Sequence, residues 1–373
     1  MNFPKMRDIL TRQKKVLILA TSRKTRGGVT SVIKAHEQGE QWRRYHCKWV
    51  ETHSDKNSAV RFLFFIKSFF SYLFLLPFYD LVHIHTSEPP SAARKATFMF
   101  LAKLLRKKSI IHFHSFSPET TINSRYKKIY KYLFSQADCI LVLSEYWKRE
   151  ISQTFVLSEK INVLYNPSEK PDLSTKYEKT NRILYAGAIN ARKGYADLIK
   201  AFAKIANRFP EWKIVFAGNG EIEKAKILAK EFNIEKQTEF LGWVSGENKS
   251  KIFQEASVFC LPSYAEGLPM AVLDAWAYEL PVITTPVGGI PDIVEDDING
   301  IFFDAGNIDK LSQKLEMMIV DENLRNNIML QSKKLSDTKF NVNVVNKQLE
   351  IIYHSLLYQK DMTLNKNLLK CSK

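Results

Sequence analysis

With 373 residues, 45% of them hydrophobic and 25% charged, the chain is long enough for two globular domains, and its composition excludes wholesale disorder or a collagen-like repeat. Four cysteines (Cys47, Cys139, Cys260, Cys371) lie far apart without a CxxC pair, which argues against a disulfide framework or a thiolate zinc site and fits a reducing cytoplasm. The net charge of +16 sits entirely in residues 1–170, which hold 29 Lys and Arg against 13 Asp and Glu; such asymmetry points to nucleic acid, anionic lipid or a phosphorylated substrate as partner of that half.

The first apolar run, Val16–Ala20, is too short for the core of a secretory signal. In chain order, strands are expected at 15–20, 81–85, 109–114 and 139–143, each followed by a polar turn and a helical pattern. Their continuous apolar character is that of strands buried on both faces of a parallel sheet. Between the first two lies Phe62–Tyr79, with 14 apolar or aromatic residues out of 18. Lys67, Ser68, Ser71 and Pro77 interrupt it, and spanning a bilayer would split the first domain. It therefore reads either as a core helix or as a helix that dips into a membrane interface beside a basic surface. Residues 166–180 are polar and proline-containing and read as a linker. A second alternating series follows, with strands at 182–186, 213–217, 238–241, 258–261 and 281–284 and helices at 195–208 and 221–231. A last helical pattern covers 342–357, and a basic tail ends the chain. Two doubly wound α/β domains facing one another are the economical architecture. Ligands then bind beyond the carboxyl ends of the strands.

The residues that follow the strands are therefore the candidates for chemistry. After the first, Gly27 and Gly28 precede a helix, so their amides and the helix N-terminus can cradle a diphosphate near Arg26, or simply make a turn. His83/His85 and His112/His114 form two HxH pairs whose members share strand faces. A metal would need further ligands that the sequence does not suggest. His114 alone runs into a loop (SFSP) and reads as substrate-facing, the other three as structural. In the second half, Arg192 and Lys193 precede Gly194 and a helix, where cations can neutralise a departing diphosphate or form a solvated turn. The densest group is PSYAEGLPMAVLDAWA (262–277). There Glu266 stands at a helix mouth, Gly267 and Leu268 offer amides, Pro269 suits a first helical turn, and Asp274 lies deeper. Carboxylates accept from sugar and ribose hydroxyls while amides take phosphate, an arrangement suited to a nucleoside diphosphate sugar.

On these residues the sequence resembles the retaining glycosyltransferases of family 4, with the GT-B fold. The family's E-x7-E signature stands here as Glu266 to Asp274. The loop at Gly27-Gly28, DLVHIHTS, FHS at His114, Ser144-Glu145, Asn166-Pro167, Lys193-Gly194, AGNGE, LGWV and VGGIPDIV follow in the family's order. The resemblance implies two facing Rossmann-like domains: an acceptor domain over 1–168 and a nucleotide-sugar domain over 169–340. A helix over 341–360 would return to the first domain, and 361–373 would form the tail. It further implies that Asp274 holds the ribose, Glu266 the donor sugar's hydroxyls and Lys193 the diphosphate. Arg192, Gly27, Gly28, Gly267, Leu268 and Pro269 would line the donor site, and His114 would lie near the anomeric carbon. No cofactor or metal is expected beyond the nucleotide sugar, linked to UDP or GDP. The acceptor would be a glycan, lipid-linked, in capsule, exopolysaccharide or lipopolysaccharide assembly at the cytoplasmic membrane face. Two departures stand out: Asp274 replaces the usual Glu, and Ala188 replaces a frequent Arg that Arg192 could substitute. A nucleotide-sugar epimerase and a basic nucleic-acid-binding protein are the alternatives.

Overall fold

The computed structural model describes residues 12–358, apart from 56, 169, 170 and 172; the basic tail at 361–373 lies outside the described residues. The first lobe runs β1 (Val16–Ala20), α1 (Gly28–Glu37), α2 (Glu40–Arg44), β2 (Lys48–Glu51), α3 (Ser58–Leu75) and β3 (Leu81–Thr86). It continues with α4 (Pro89–Leu104), β4 (Lys108–Phe113), α5 (Lys127–Gln136), β5 (Cys139–Val142), α6 (Glu145–Phe155) and β6 (Ile161–Val163). The second runs β7 (Arg182–Ala186), α7 (Tyr195–Ala203), β8 (Lys213–Ala217), α8 (Ile222–Glu231), β9 (Thr238–Gly242) and α9 (Gly246–Glu255). Then come β10 (Val258–Leu261), α10 (Met270–Ala277), β11 (Val282–Thr284), β12 (Ile301–Phe302), α11 (Ile308–Val320), α12 (Glu322–Asp337) and α13 (Val342–Tyr358).

Both sheets are six-stranded and parallel, in the orders β2-β1-β3-β4-β5-β6 and β12-β11-β10-β7-β8-β9. The expected α/β class and doubly wound form are both present. Three strands had no counterpart in the sequence reading: β2, β6 and β12. All three are sheet edges, short and paired on one side, so they carry no long apolar run. In the second sheet the order reverses between β7 and β10, which opens a crevice beyond their carboxyl ends.

The first sheet is covered on one face by α3–α6, packed on Leu17, Leu19, Val82, Ile84, Ile111 and Ile140. The last helix, α13, contributes Val345, Leu349, Ile352 and Tyr353 to the apolar cluster under the opposite face, beside Val16, Ile18 and Ile110. Glu350 of α13 also pairs with Arg44 at 2.5 Å. The chain's final helix thus completes the first lobe. The expected linker is less free than its composition suggests. Asn166 and Ser168 are buried, and Ser168 bridges to Asn341 and donates to the Leu273 carbonyl at 3.2 Å.

Candidate active site

The loops after β7 and β10 are stitched together at the switch point. Asn190 caps the turn at Ala191–Lys193 by accepting from the Lys193 amide at 3.1 Å. Gly194 follows with φ +69°, where a Cβ would fall 1.9 Å from the Pro262 carbonyl oxygen, so only glycine lets the two loops close. Arg192 Nη1 donates to the Ala265 carbonyl at 2.6 Å, and the Tyr264 amide donates back to the Arg192 carbonyl at 2.8 Å.

Glu266 sits at the centre of this stitching and is only 4% exposed. Its Oε1 accepts from Ser263 Oγ at 2.6 Å and is ion-paired with Lys193 Nζ, while its Oε2 lies 3.7 Å from Arg192 Nη1. A buried carboxylate needs such company, because an unpaired one would pay a large desolvation cost. Pro269 is the residue just before α10 rather than within its first turn, and the Leu268 side chain is buried in the second lobe's apolar core. Asp274, the fifth residue of α10, forms a 2.8 Å ion pair with Lys249 of α9.

The first lobe closes over this loop. A Cβ on Gly267 would fall 2.4 Å from the Ser115 carbonyl oxygen, one residue beyond His114. The Arg192 guanidinium lies over Phe116, 4.4 Å from the ring centroid. Asn166 Nδ2 donates to the Leu268 carbonyl at 2.7 Å, and the Tyr146 amide at the start of α6 donates to Asp292 at 3.0 Å. Gly27 takes φ +156° before α1, and a Cβ on Gly28 would sit 3.7 Å from Met270 Cγ at the start of α10. The structure therefore brings Gly27, Gly28, the His114 loop, Arg192, Lys193 and Glu266–Pro269 to one crevice. Asp274 lies a helical turn further in.

Behind His114 runs a column of imidazoles. His85 Nδ1 and His114 Nε2 are hydrogen-bonded at 2.9 Å, His83 Nδ1 meets Tyr353 OH at 2.6 Å, and His36 Nδ1 donates to Asn346 Oδ1 at 2.8 Å. His112 differs, since neither of its nitrogens has a partner among the described residues. Burial holds His83, His85 and His112 well below the usual imidazole range, and pushes His36 to about 4 and His114 to about 3. His114 is therefore a neutral hydrogen-bonding group at neutral pH. His83, His85 and His112 offer nitrogens within 4.8 Å of one another. The rings of His83 and His112 are stacked with 9° between their planes.

The sequence matches two family models that meet at residue 168: "Glycosyltransferase Family 4" over residues 18–168 and "Glycosyl transferases group 1" over residues 168–335. The chain belongs to glycosyltransferase family 4. Among curated relatives it is 28% identical to a Campylobacter jejuni α-1,4-N-acetyl-D-galactosaminyltransferase named for an undecaprenol-diphosphate-linked acceptor, over 47% of this chain and 50% of that one. It is 30% identical to the lipopolysaccharide 1,6-galactosyltransferase of Escherichia coli, over 56% and 59%. Matches to the first three relatives span 69%, 62% and 50% of those proteins' own lengths. The GT-B fold is shared with Anabaena HepE solved with UDP and glucose, at TM-score 0.74 and 17% identity, over 92% of this chain and 100% of that one.

Several residues of this family 4 chain that bear on the crevice escaped the sequence reading. Lys249, which holds Asp274, stands in no motif, and only the fold brings α9 beside α10. Ser263 lies inside PSYAEG, where its hydroxyl three residues before the acid could have been noticed. Phe116 sits in SFSP, and Trp243 of LGWV lies 5.7 Å from the Arg26 guanidinium across the crevice. Arg192, expected at the diphosphate, is engaged with Ala265, Phe116 and Glu266 in this structure.

Proposed function

We propose that the chain transfers a sugar, with retention of anomeric configuration, from a UDP- or GDP-linked donor to a lipid-linked saccharide. The reaction would serve surface polysaccharide assembly at the cytoplasmic face of the membrane. The reading rests above all on the buried Glu266 held between Ser263, Lys193 and Arg192 at the switch point of the second lobe, facing the His114 loop. On the donor, the C1–O bond to the diphosphate breaks and a bond from C1 to the acceptor oxygen forms on the same face. The acceptor's proton passes to the departing phosphate. Lys193 and Arg192 carry the charge that builds on the diphosphate, with the amides of Gly27 and Gly28 at the start of α1 approaching from the first lobe. Glu266 accepts from the sugar hydroxyls, Asp274 from the ribose, and neutral His114 hydrogen-bonds near the anomeric carbon. This chemistry uses protein cations in place of a metal. The undecaprenol-linked acceptor named for the Campylobacter relative and the lipopolysaccharide role of the Escherichia coli relative support the acceptor class.

The test is a donor screen that follows release of nucleoside diphosphate with and without lipid-linked saccharide, with the product's anomeric configuration read by NMR. Glu266→Ala and Lys193→Ala should each lower kcat/KM by about a hundredfold or more without loss of the folded state. Wild-type rates in both variants would overturn the site. Donor epimerised in the absence of acceptor would overturn the reaction.

A further inference from the structure

Helix α3 is inside out for a soluble domain. Asn57 caps it through the Val60 amide at 3.1 Å, and the residues it buries fully are Ser68 and Tyr72. Tyr72 OH reaches the Phe98 carbonyl of α4 at 3.0 Å, and Phe65 and Phe69 lean on the Phe98 ring. The outward arc carries Phe62, Leu63, Phe70, Leu73 and Phe74, which are between 42% and 74% exposed. At 3.6 residues per turn these five share roughly a third of the helix circumference. The neighbouring end of α4 adds Phe100, Leu104 and Leu105, also exposed. Contiguous apolar surface on this scale marks an interaction site rather than ordinary solvent-facing variation.

The charge around it identifies the occupant. Neither α3 nor α4 contains an acidic residue. Arg61 and Lys67 stand exposed on α3 itself, and the run Arg106, Lys107, Lys108 follows α4. Arg12 and Lys107 each donate at 3.0 Å to the main chain of Phe78 and Pro77, where α3 ends. A second copy docking face to face would bring this cationic rim against itself. A surface of lipid phosphates takes both the rim and the phenylalanines. Crossing the bilayer is a different matter: it would tear Tyr72 and Phe65 from Phe98 and break the connection between β2 and β3.

We propose that the outward face of α3, with the end of α4, lies in the interface of an anionic bilayer and seats the enzyme there. This deepens the proposed function and rests on it for the lipid-linked acceptor. The start of α3, beyond the carboxyl end of β2, lies at the same end of the first sheet as Gly27 and Gly28. The acceptor then enters from the membrane side.

The experiment is flotation of the full chain with vesicles of phosphatidylglycerol and phosphatidylethanolamine, compared with pure phosphatidylcholine. Turnover of donor with a water-soluble saccharide acceptor is measured in parallel. Wild type should float with the anionic vesicles and less with the neutral ones, and 0.5 M salt, roughly a 4 Å screening length, should release part of it. Phe70→Glu with Phe74→Glu should lower the partition constant by about a hundredfold, about tenfold for each phenylalanine, while thermal unfolding and soluble-acceptor turnover stay at wild-type values. Equal flotation of the double variant would overturn the proposal. So would a wild-type dimer in lipid-free sedimentation that does not float and that the double variant dissolves. Flotation without any donor turnover would leave the membrane face standing and sink the transferase reading instead.

Discussion

Acid should open the first lobe before the second. All eight histidines lie in the first lobe's sequence or in α13, and five of them, His36, His83, His85, His112 and His114, form the column behind the crevice. The groups facing it from α2 and α13 are Gln41, Asn346 and Tyr353, none of which carries a negative charge. Burial keeps the five imidazoles neutral, whereas in the unfolded chain each takes a proton near about pH 6.5. The folded-state values lie below the unfolded one, so the unfolded state binds more protons in between. Stability is therefore complete above about pH 6.5 and is lost as the pH falls through that value. For His36, held at about 4, the loss reaches about 3 kcal/mol at pH 4, at roughly 1.36 kcal/mol per pH unit. At pH 5 His36 and His114, held at about 4 and about 3, each cost about 2 kcal/mol, and His83, His85 and His112 act in the same direction, against a typical domain stability of ~5–15 kcal/mol. Melting followed by circular dichroism from pH 7.5 to 5 should show a steep fall in Tm. His112→Leu, which removes a ring without hydrogen-bond partners, should make that fall shallower by about one proton. A Tm that stays level from pH 7 to 5, or ring titration by NMR near pH 6.5 in the folded state, would refute the reasoning.

Two further outcomes follow from the crevice. Gly267→Ala places a methyl 2.4 Å from the Ser115 carbonyl and must part the lobes, so kcat/KM should fall about a hundredfold, while Gly28→Ala, with its nearest contact at 3.7 Å, should change it little; steady-state kinetics on both variants decides. Lys249→Met releases Asp274 from its 2.8 Å partner and should raise the KM for the nucleotide donor by up to about tenfold with kcat nearly kept, which a titration of donor concentration checks.

The sequence made the inner strands legible because strands buried on both faces read as unbroken apolar runs, as VLILA of β1 and CILV of β5 do. Edge strands such as INV and IF carry too few such residues to stand out. Within the site, glycines and acids in fixed spacing marked Gly28, Lys193 and Glu266. Contacts between segments far apart in sequence left no such mark: Lys249 on Asp274, Phe116 under Arg192, and Tyr353 on His83, some 270 positions apart. The Phe62–Tyr79 segment was legible as apolar, but only its packing separates the outward Phe62, Phe70 and Phe74 from Phe65 and Phe69, which lean on Phe98.

The charge arrangement at Glu266 suggests how the proposed donor enters. One buried carboxylate is bracketed by two cations, so the mouth of the second lobe holds net positive charge before any ligand arrives. An incoming diphosphate offers Lys193 a more highly charged partner than Glu266, with the anchored Arg192 guanidinium adding positive charge beside it. On the proposed reading Glu266 would then lose its Lys193 partner, and the sugar hydroxyls would take the accepting positions that Lys193 vacates, coupling phosphate and sugar binding through one carboxylate. The coupling is not symmetric: Arg192 is also anchored on the Ala265 carbonyl and the Phe116 ring, whereas Lys193 Nζ is held through Glu266. On the proposed reading Lys193 would be the cation that moves, while Arg192 keeps the loop after β10 against the first lobe.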